Sequence, residues 1–135
     1  MTPRQIAVAV VTHDGHVLVG RRAANAAEAA GFDEFPGGKI EPHESAAEAA
    51  ARECLEEAGI VVRMLDRPCV SVSRQPPLRT IVFHWAAPLD ATVPPRPPFE
   101  WIPIADLSQR KFPEPNAAVL AILRTDHAAH DHGGS

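Results

Sequence analysis

Glu53, Glu56 and Glu57 fall within one short stretch, GGKIEPHESAAEAAARECLEEAGI (residues 37–60). On a helix at 100° per residue they project at about 0°, −60° and +40°, a single acidic stripe roughly 100° wide. Like charges three and four residues apart repel, and a position near the negative end of the helix dipole makes this worse. A solvated acidic face is the ordinary reason for such a stripe. Here the opposite side carries Ala47, Ala50, Ala51, Cys54, Leu55 and Ala58, small and apolar, which should pack on a sheet and leave the stripe bordering a cleft. Hard carboxylate oxygens so placed suit Mg²⁺ or Mn²⁺, whose charge offsets the repulsion. The Gly37-Gly38 turn lets a backbone carbonyl approach the same ion.

The elements that must position these groups can be read around them. Residues 5–12 and 17–20 are apolar and β-branched, with His13-Asp14-Gly15-His16 between them, which predicts a hairpin. The alanine-rich residues 23–31 read as a loop, and residues 32–35 as a short strand running into the Pro36-Gly37-Gly38 turn. Ser45 with Glu48 forms a capping box that starts the acidic helix, and Gly59 stops it. Residues 61–65, 70–74, 80–87 and 100–104 read as strands, the last after a proline-dense connection, residues 94–98. Residues 116–124 predict a final amphipathic helix. One domain is expected over residues 1–125, followed by a polar, histidine-containing tail over 126–135 that should be disordered.

The chain has 135 residues, enough for one buried core, and its 45% apolar and 22% charged residues exclude a disordered or fibrous class. A net charge of −4 gives no general attraction to nucleic acid, so a polyanionic ligand would have to be held locally. Two cysteines, Cys54 and Cys69, make neither a disulfide framework nor a zinc spacing, which points to a reducing cytoplasm. The N-terminal apolar run is too short for a signal segment or a membrane span. A monomer without nucleic-acid or membrane partners is expected.

Gly38, Glu44 and Arg52-Glu53-Cys54-Leu55-Glu56-Glu57-Ala58-Gly59-Ile60 together resemble the full Nudix box, GX5EX7REUXEEXGU with U aliphatic. The one departure is Cys54 at the first U, where a buried thiol behaves as a small hydrophobe. The resemblance implies an α/β fold, an α/β/α sandwich around a mixed β-sheet, and hydrolysis of a nucleoside diphosphate linked to another group. It implies that Glu53, Glu56, Glu57 and the carbonyl of Gly37 hold divalent ions, Mg²⁺ with Mn²⁺ as a substitute. Arg52 would then orient Glu53, Glu44 would support that arrangement, and Glu53 is the first choice for general base.

Outside the box, Ile6-Ala7-Val8, Arg21-Arg22-Ala23-Ala24, residues 34–41 and Phe112-Pro113-Glu114-Pro115-Asn116 resemble the MutT-like branch, which hydrolyses 8-oxo-dGTP. The resemblance implies nucleotide contacts from Arg22, Glu34, Phe35, Pro36, Gly37 and Asn116. Asn offers both a donor and an acceptor, matching the O6 and protonated N7 that 8-oxoguanine presents and guanine does not. Asn116 is equally a good helix N-cap, and Phe35 equally a core aromatic. Three departures stand out: Ala27 replaces an expected histidine, that loop is one residue longer, and the acidic loop residue before Trp101 has become proline-rich sequence. The expected activity is conversion of 8-oxo-dGTP, and 8-oxo-GTP, to the monophosphate and pyrophosphate. The alternatives are a pyrophosphohydrolase of CTP or modified dCTP, whose relatives carry Asp where Asn116 stands, and a non-catalytic nucleotide-binding domain, which the intact set of box glutamates disfavours.

Overall fold

The computed structural model of the chain describes residues 4–25, 30–74 and 79–133. Its organisation follows from the central strand, β1 (Arg4–His13). Successive side chains of a strand point to opposite faces. Ala7, Ala9 and Val11 accordingly enter one core cluster while Val10 enters another. β1 runs parallel to β7 (Arg79–Pro88), in register from Arg4↔Arg79 to Val11↔Ala86. It is antiparallel to β2 (His16–Arg21) and to β4 (Gly37–Lys39). β3 (Asp33–Glu34) and β8 (Glu100–Pro103) pair with β2, and β5 (Val62–Met64) and β6 (Val70–Arg74) pair with β7. The result is a mixed sheet of eight strands among the described residues.

One face is covered by α1 (Ala46–Ala58), whose buried Ala49, Ala50, Cys54 and Ala58 pack with Leu18 and Ile60. Small side chains let the helix backbone lie close to the sheet, which keeps α1 near β4. The other face is covered by α2 (Ala117–Gly133), whose Val119 and Leu123 pack with Phe83, Trp85 and Leu107. Each large side chain so buried, Phe83 for example, contributes about 1.5–3 kcal/mol of transfer free energy. The expected α/β/α sandwich is therefore present. The hairpin also forms as expected: Thr12 pairs with Val17 and His13 with His16, around Asp14 and Gly15 at φ 49° and 75°.

Both ends of α1 are fixed. Ser45 Oγ accepts from Glu48 N at 3.0 Å while Glu48 Oε1 accepts from Ser45 N at 2.8 Å, the reciprocal capping box. At the other end Gly59 takes the left-handed conformation, φ 70°, and donates to Leu55 O. The last turn has no basic residue of its own. Arg96, from the proline-dense connection, supplies one: its Nη1 donates to Glu56 O at 2.6 Å and its backbone N–H to Ala58 O at 2.8 Å.

Several expectations need correction. Gly37 and Gly38 are not a turn but lie in β4, paired with Val8 and Ala7. Glycine is needed there for close approach: a Cβ on Gly37 would stand 2.5 Å from Ala7 O and 2.9 Å from Val8 Cα. Leu55 is not packed on the sheet but is 47% exposed, and Ala49 is buried in the packed face with Ala50. α2 does not end near Arg124; it continues through Gly133, across residues expected to form a polar tail, where Ala128 and Ala129 favour helix. Short 3₁₀ helices at Ile104–Gln109 and Glu114–Asn116 were not foreseen. Ala27, Gly134 and Ser135 lie outside the described residues. No helix among the described residues is long and apolar enough to cross a membrane.

Candidate active site

Arg52 is the hub of the acidic edge of α1. Its Nε and Nη2 donate to the two oxygens of Glu44 at 2.7 and 3.0 Å, a bidentate fork. Nη1 reaches Glu53 Oε1 at 3.0 Å and Glu56 Oε2 at 3.2 Å, and Nη2 reaches Lys39 O at 3.1 Å. One guanidinium thus joins the loop before α1, strand β4 and the helix. Glu44 is anchored from the other side by Glu41 N at 2.9 Å. The Arg52 hydrogen bonds, helped by that backbone N–H, hold the Glu44 carboxyl down at about 2. The same bonds push Arg52 further from deprotonation. Glu53 keeps Oε2 without a protein donor among the described residues, which leaves it available to a substrate-side group.

Glu57 is placed differently. Its Oε1 accepts the Gly37 N–H at 2.9 Å, a contact made by the amide of Gly37 and not by its carbonyl, across β4 and α1. Burial pushes its carboxyl up to about 7; the Gly37 N–H opposes this, and the charges of Glu34, Glu53 and Glu56 add to the rise. Four carboxylates therefore share one field. Glu34 is raised too, by burial, with the ion pair to Arg22 (Nη1 to Oε1, 3.1 Å) working against it. Among the described residues no three acidic, histidine or cysteine side chains converge into a closed metal cage; at the acidic edge Arg52 Nη1 bridges Glu53 and Glu56. The donor chemistry nevertheless fits a hard divalent cation. Oxygen-only groups crowded together, one of them raised by burial and further by its neighbours' charge, are what such a cation would stabilise.

The expected nucleotide contacts divide into two groups. Arg22 and Glu34 pair with each other beside the acidic cluster. Pro36 is fully buried and its carbonyl accepts from Ala9 N at 2.9 Å, locking the strand that carries Gly37. Phe35 is 5% exposed in the α2-side core and stacks on Phe112, ring centroids 4.9 Å apart at 29°. Asn116 lies on the second 3₁₀ helix, where its backbone N–H and its Nδ2 both donate to Pro113 O, at 3.1 and 3.0 Å. It therefore braces its own turn as a donor; the N-cap of this 3₁₀ helix is Pro113, and Asn116 is not the N-cap acceptor expected of it. Its Oδ1 and second amide hydrogen have no partner among the described residues, a donor and acceptor side by side. Glu100 is exposed on β8, opposite Val19.

Two features escaped sequence reasoning. Asp33 is buried at 1% and clamps Arg110 and Lys111; a charge inside the short FDEF segment was its only signal, and nothing indicated partners so distant in sequence. Arg96, capping α1, was hidden in the proline-dense connection.

Residues 2–123 match the family model described as NUDIX domain. The chain is 31% identical over 128 residues to the 8-oxo-dGTP diphosphatase of Escherichia coli, covering 92% of this chain and 98% of that protein. It is 43% identical to the Escherichia coli CTP pyrophosphohydrolase over 56 residues only, 42% of this chain and 41% of that protein. Among solved structures, the MutT protein of Methanosarcina mazei Go1 superposes with a TM-score of 0.72 at 22% identity, over 92% of this chain and 95% of that one.

Proposed function

The chain belongs to the NUDIX domain family of hydrolases, and from that premise we infer that it is a nucleoside triphosphate pyrophosphohydrolase acting on 8-oxo-dGTP, and on 8-oxo-GTP, to keep oxidised purines out of the nucleotide pool. The observation that carries the reaction class is the Arg52 knot: one guanidinium holding Glu44, Glu53 and Glu56 beside a Gly37–Glu57 contact. Proteins of this family use divalent metals. Glu53, Glu56, Glu57 and the carbonyl of Gly37 would hold Mg²⁺, or Mn²⁺ in its place. When bound, the ion supplies positive charge against the phosphates and Lewis acidity toward water.

The chain's own residues account for the rest. Glu53, steadied through Oε1 by Arg52, has a second oxygen to take a proton from water. That water oxygen bonds to the β-phosphorus as the bridging oxygen leaves with the α-phosphate, giving the monophosphate and pyrophosphate. Arg22, already close to the acidic cluster through Glu34, offers a guanidinium to the nucleotide. Asn116 contributes its unspent donor and acceptor to the O6 and N7–H edge of the oxidised base, and Phe35 supports that side through Phe112. The reading as a CTP pyrophosphohydrolase draws on the partial match to the E. coli enzyme of that name; Asn116 speaks against it. We place it, as a monomer, in the reducing cytoplasm, a compartment in which two free cysteines, one of them exposed, stay reduced.

Hydrolysis in ¹⁸O-labelled water tests the reaction. Label in pyrophosphate, with unlabelled monophosphate, is the expected result. Release of inorganic phosphate as the first product would contradict the assignment.

A further inference from the structure

Among the described residues, Asp33 is the buried charged side chain, 1% exposed. Taking a carboxylate out of water is costly and is tolerated only where donors replace the water. Here they do: Arg110 Nη2 donates to Oδ1 at 3.1 Å, and Arg110 Nε and Lys111 N donate to Oδ2 at 3.2 and 3.0 Å. Arg21 Nε stands 3.6 Å from Oδ1. The Asp33 N–H in turn donates to Lys111 O at 2.8 Å. Replacing a buried ion pair by apolar residues is often neutral for stability, so stability alone is a weak reason for this arrangement.

What it does fix is one geometry. Immediately after Lys111, Phe112 stacks on Phe35, two residues along the chain from Asp33 and just past β3. Pro113 follows, and its carbonyl accepts from the backbone N–H and from one Nδ2 hydrogen of Asn116. An unbroken series of contacts therefore runs from the Asp33 carboxylate to the Asn116 amide. Among the described residues, neither Asp33 nor Arg110 bonds to Glu44, Arg52, Glu53, Glu56 or Glu57.

We propose that the Asp33–Arg110 pair is a positioning device for the segment presenting Asn116, so that selection of the base depends on it while cleavage of the phosphoanhydride does not. This rests on the nucleotide reading above. Asp33 and Arg110 touch no substrate; they act through Phe112 and Asn116, whose amide must be held to within fractions of an ångström to distinguish a protonated from an unprotonated N7.

The test is steady-state kinetics on 8-oxo-dGTP, dGTP and CTP for the wild-type chain, Asp33→Asn, Arg110→Lys and the double variant Asp33→Leu/Arg110→Leu, with thermal melts of each. Asp33→Asn should raise KM for 8-oxo-dGTP by about tenfold and lower its preference over dGTP by about tenfold, with kcat within about twofold. Arg110→Lys, which keeps the charge and loses the fork, should fall between. The double variant, which removes both charges together but leaves the Lys111 N–H without its acceptor, should recover part of the thermal stability without recovering selectivity. Unchanged selectivity in variants whose melting temperature falls, or an equal drop in kcat on every nucleotide, would overturn the proposal. If the wild-type chain prefers CTP, the 8-oxo-dGTP reading fails, and the same split of KM against kcat on CTP then decides the role of the pair. If Asp33→Asn does not fold, Arg110→Lys and the double variant give the answer.

Discussion

Gly38 lies against the carboxylate of Glu53: a Cβ on Gly38 would stand 2.5 Å from Glu53 Cδ and 2.6 and 2.7 Å from its two oxygens. Gly37, one residue earlier, faces backbone instead, Ala7 O and Val8 Cα. The two glycines therefore fail differently when substituted. In Gly38→Ala the end of a flexible side chain gives way, so stability should change by less than about 1 kcal/mol, while kcat falls at least about tenfold because Glu53 is displaced. In Gly37→Ala the sheet itself must move, and overpacking of that kind costs about 1–3 kcal/mol. Thermal melts beside turnover numbers separate the two.

Glu53→Gln preserves the size of the side chain and can still meet Arg52, but it cannot take a proton. A fall in kcat of about 10²–10⁴-fold is expected, with the melting temperature within a degree or two of wild type. Turnover within about threefold of wild type would remove Glu53 from the general-base role.

Glu44 links acid stability to the Arg52 knot. Its folded-state pKa, about 2, lies below the unfolded value of 4.5. A depressed carboxyl contributes stability that is present above the unfolded pKa and is lost as pH falls through the folded one. The urea-midpoint difference between wild type and Glu44→Gln should therefore be largest above about pH 5 and shrink steadily toward pH 2. A difference that stays constant across this range would show that the ion pair is not its source.

The two thiols should report the packing of α1. Cys54 is fully buried, and burial, with the Glu57 charge beside it, pushes its thiol up to about 12, whereas Cys69 is exposed. Native protein near pH 8 should react with one equivalent of a thiol reagent and denatured protein with two. Two reactive thiols in the native state would mean that α1 does not pack on the sheet as described.

The ends of α1 were legible because caps are local: Ser45, Glu48 and Gly59 state where the helix begins and stops within a few residues. The acidic stripe was legible for the same reason, since helical spacing alone makes Glu53, Glu56 and Glu57 neighbours. What faces that stripe was not. Gly37 and Gly38 read as a turn from their composition, and their pairing with Val8 and Ala7 is a tertiary fact that no local propensity encodes. Leu55 looked like a core residue by type, yet the packed face is lined by alanines and Cys54, which leaves it exposed. Asp33 and Arg110 lie furthest from reach, because a buried ion pair between distant segments leaves only an unexplained charge in each.

The most direct test of the functional account is kcat/KM on 8-oxo-dGTP, dGTP and CTP measured side by side with Mg²⁺. The unspent donor and acceptor of Asn116 predict a preference for 8-oxo-dGTP over dGTP of at least about a hundredfold, since leaving a polar pair unmatched costs a few kcal/mol. CTP should be poorer still. Equal values on all three nucleotides, or a preference for CTP, would contradict it.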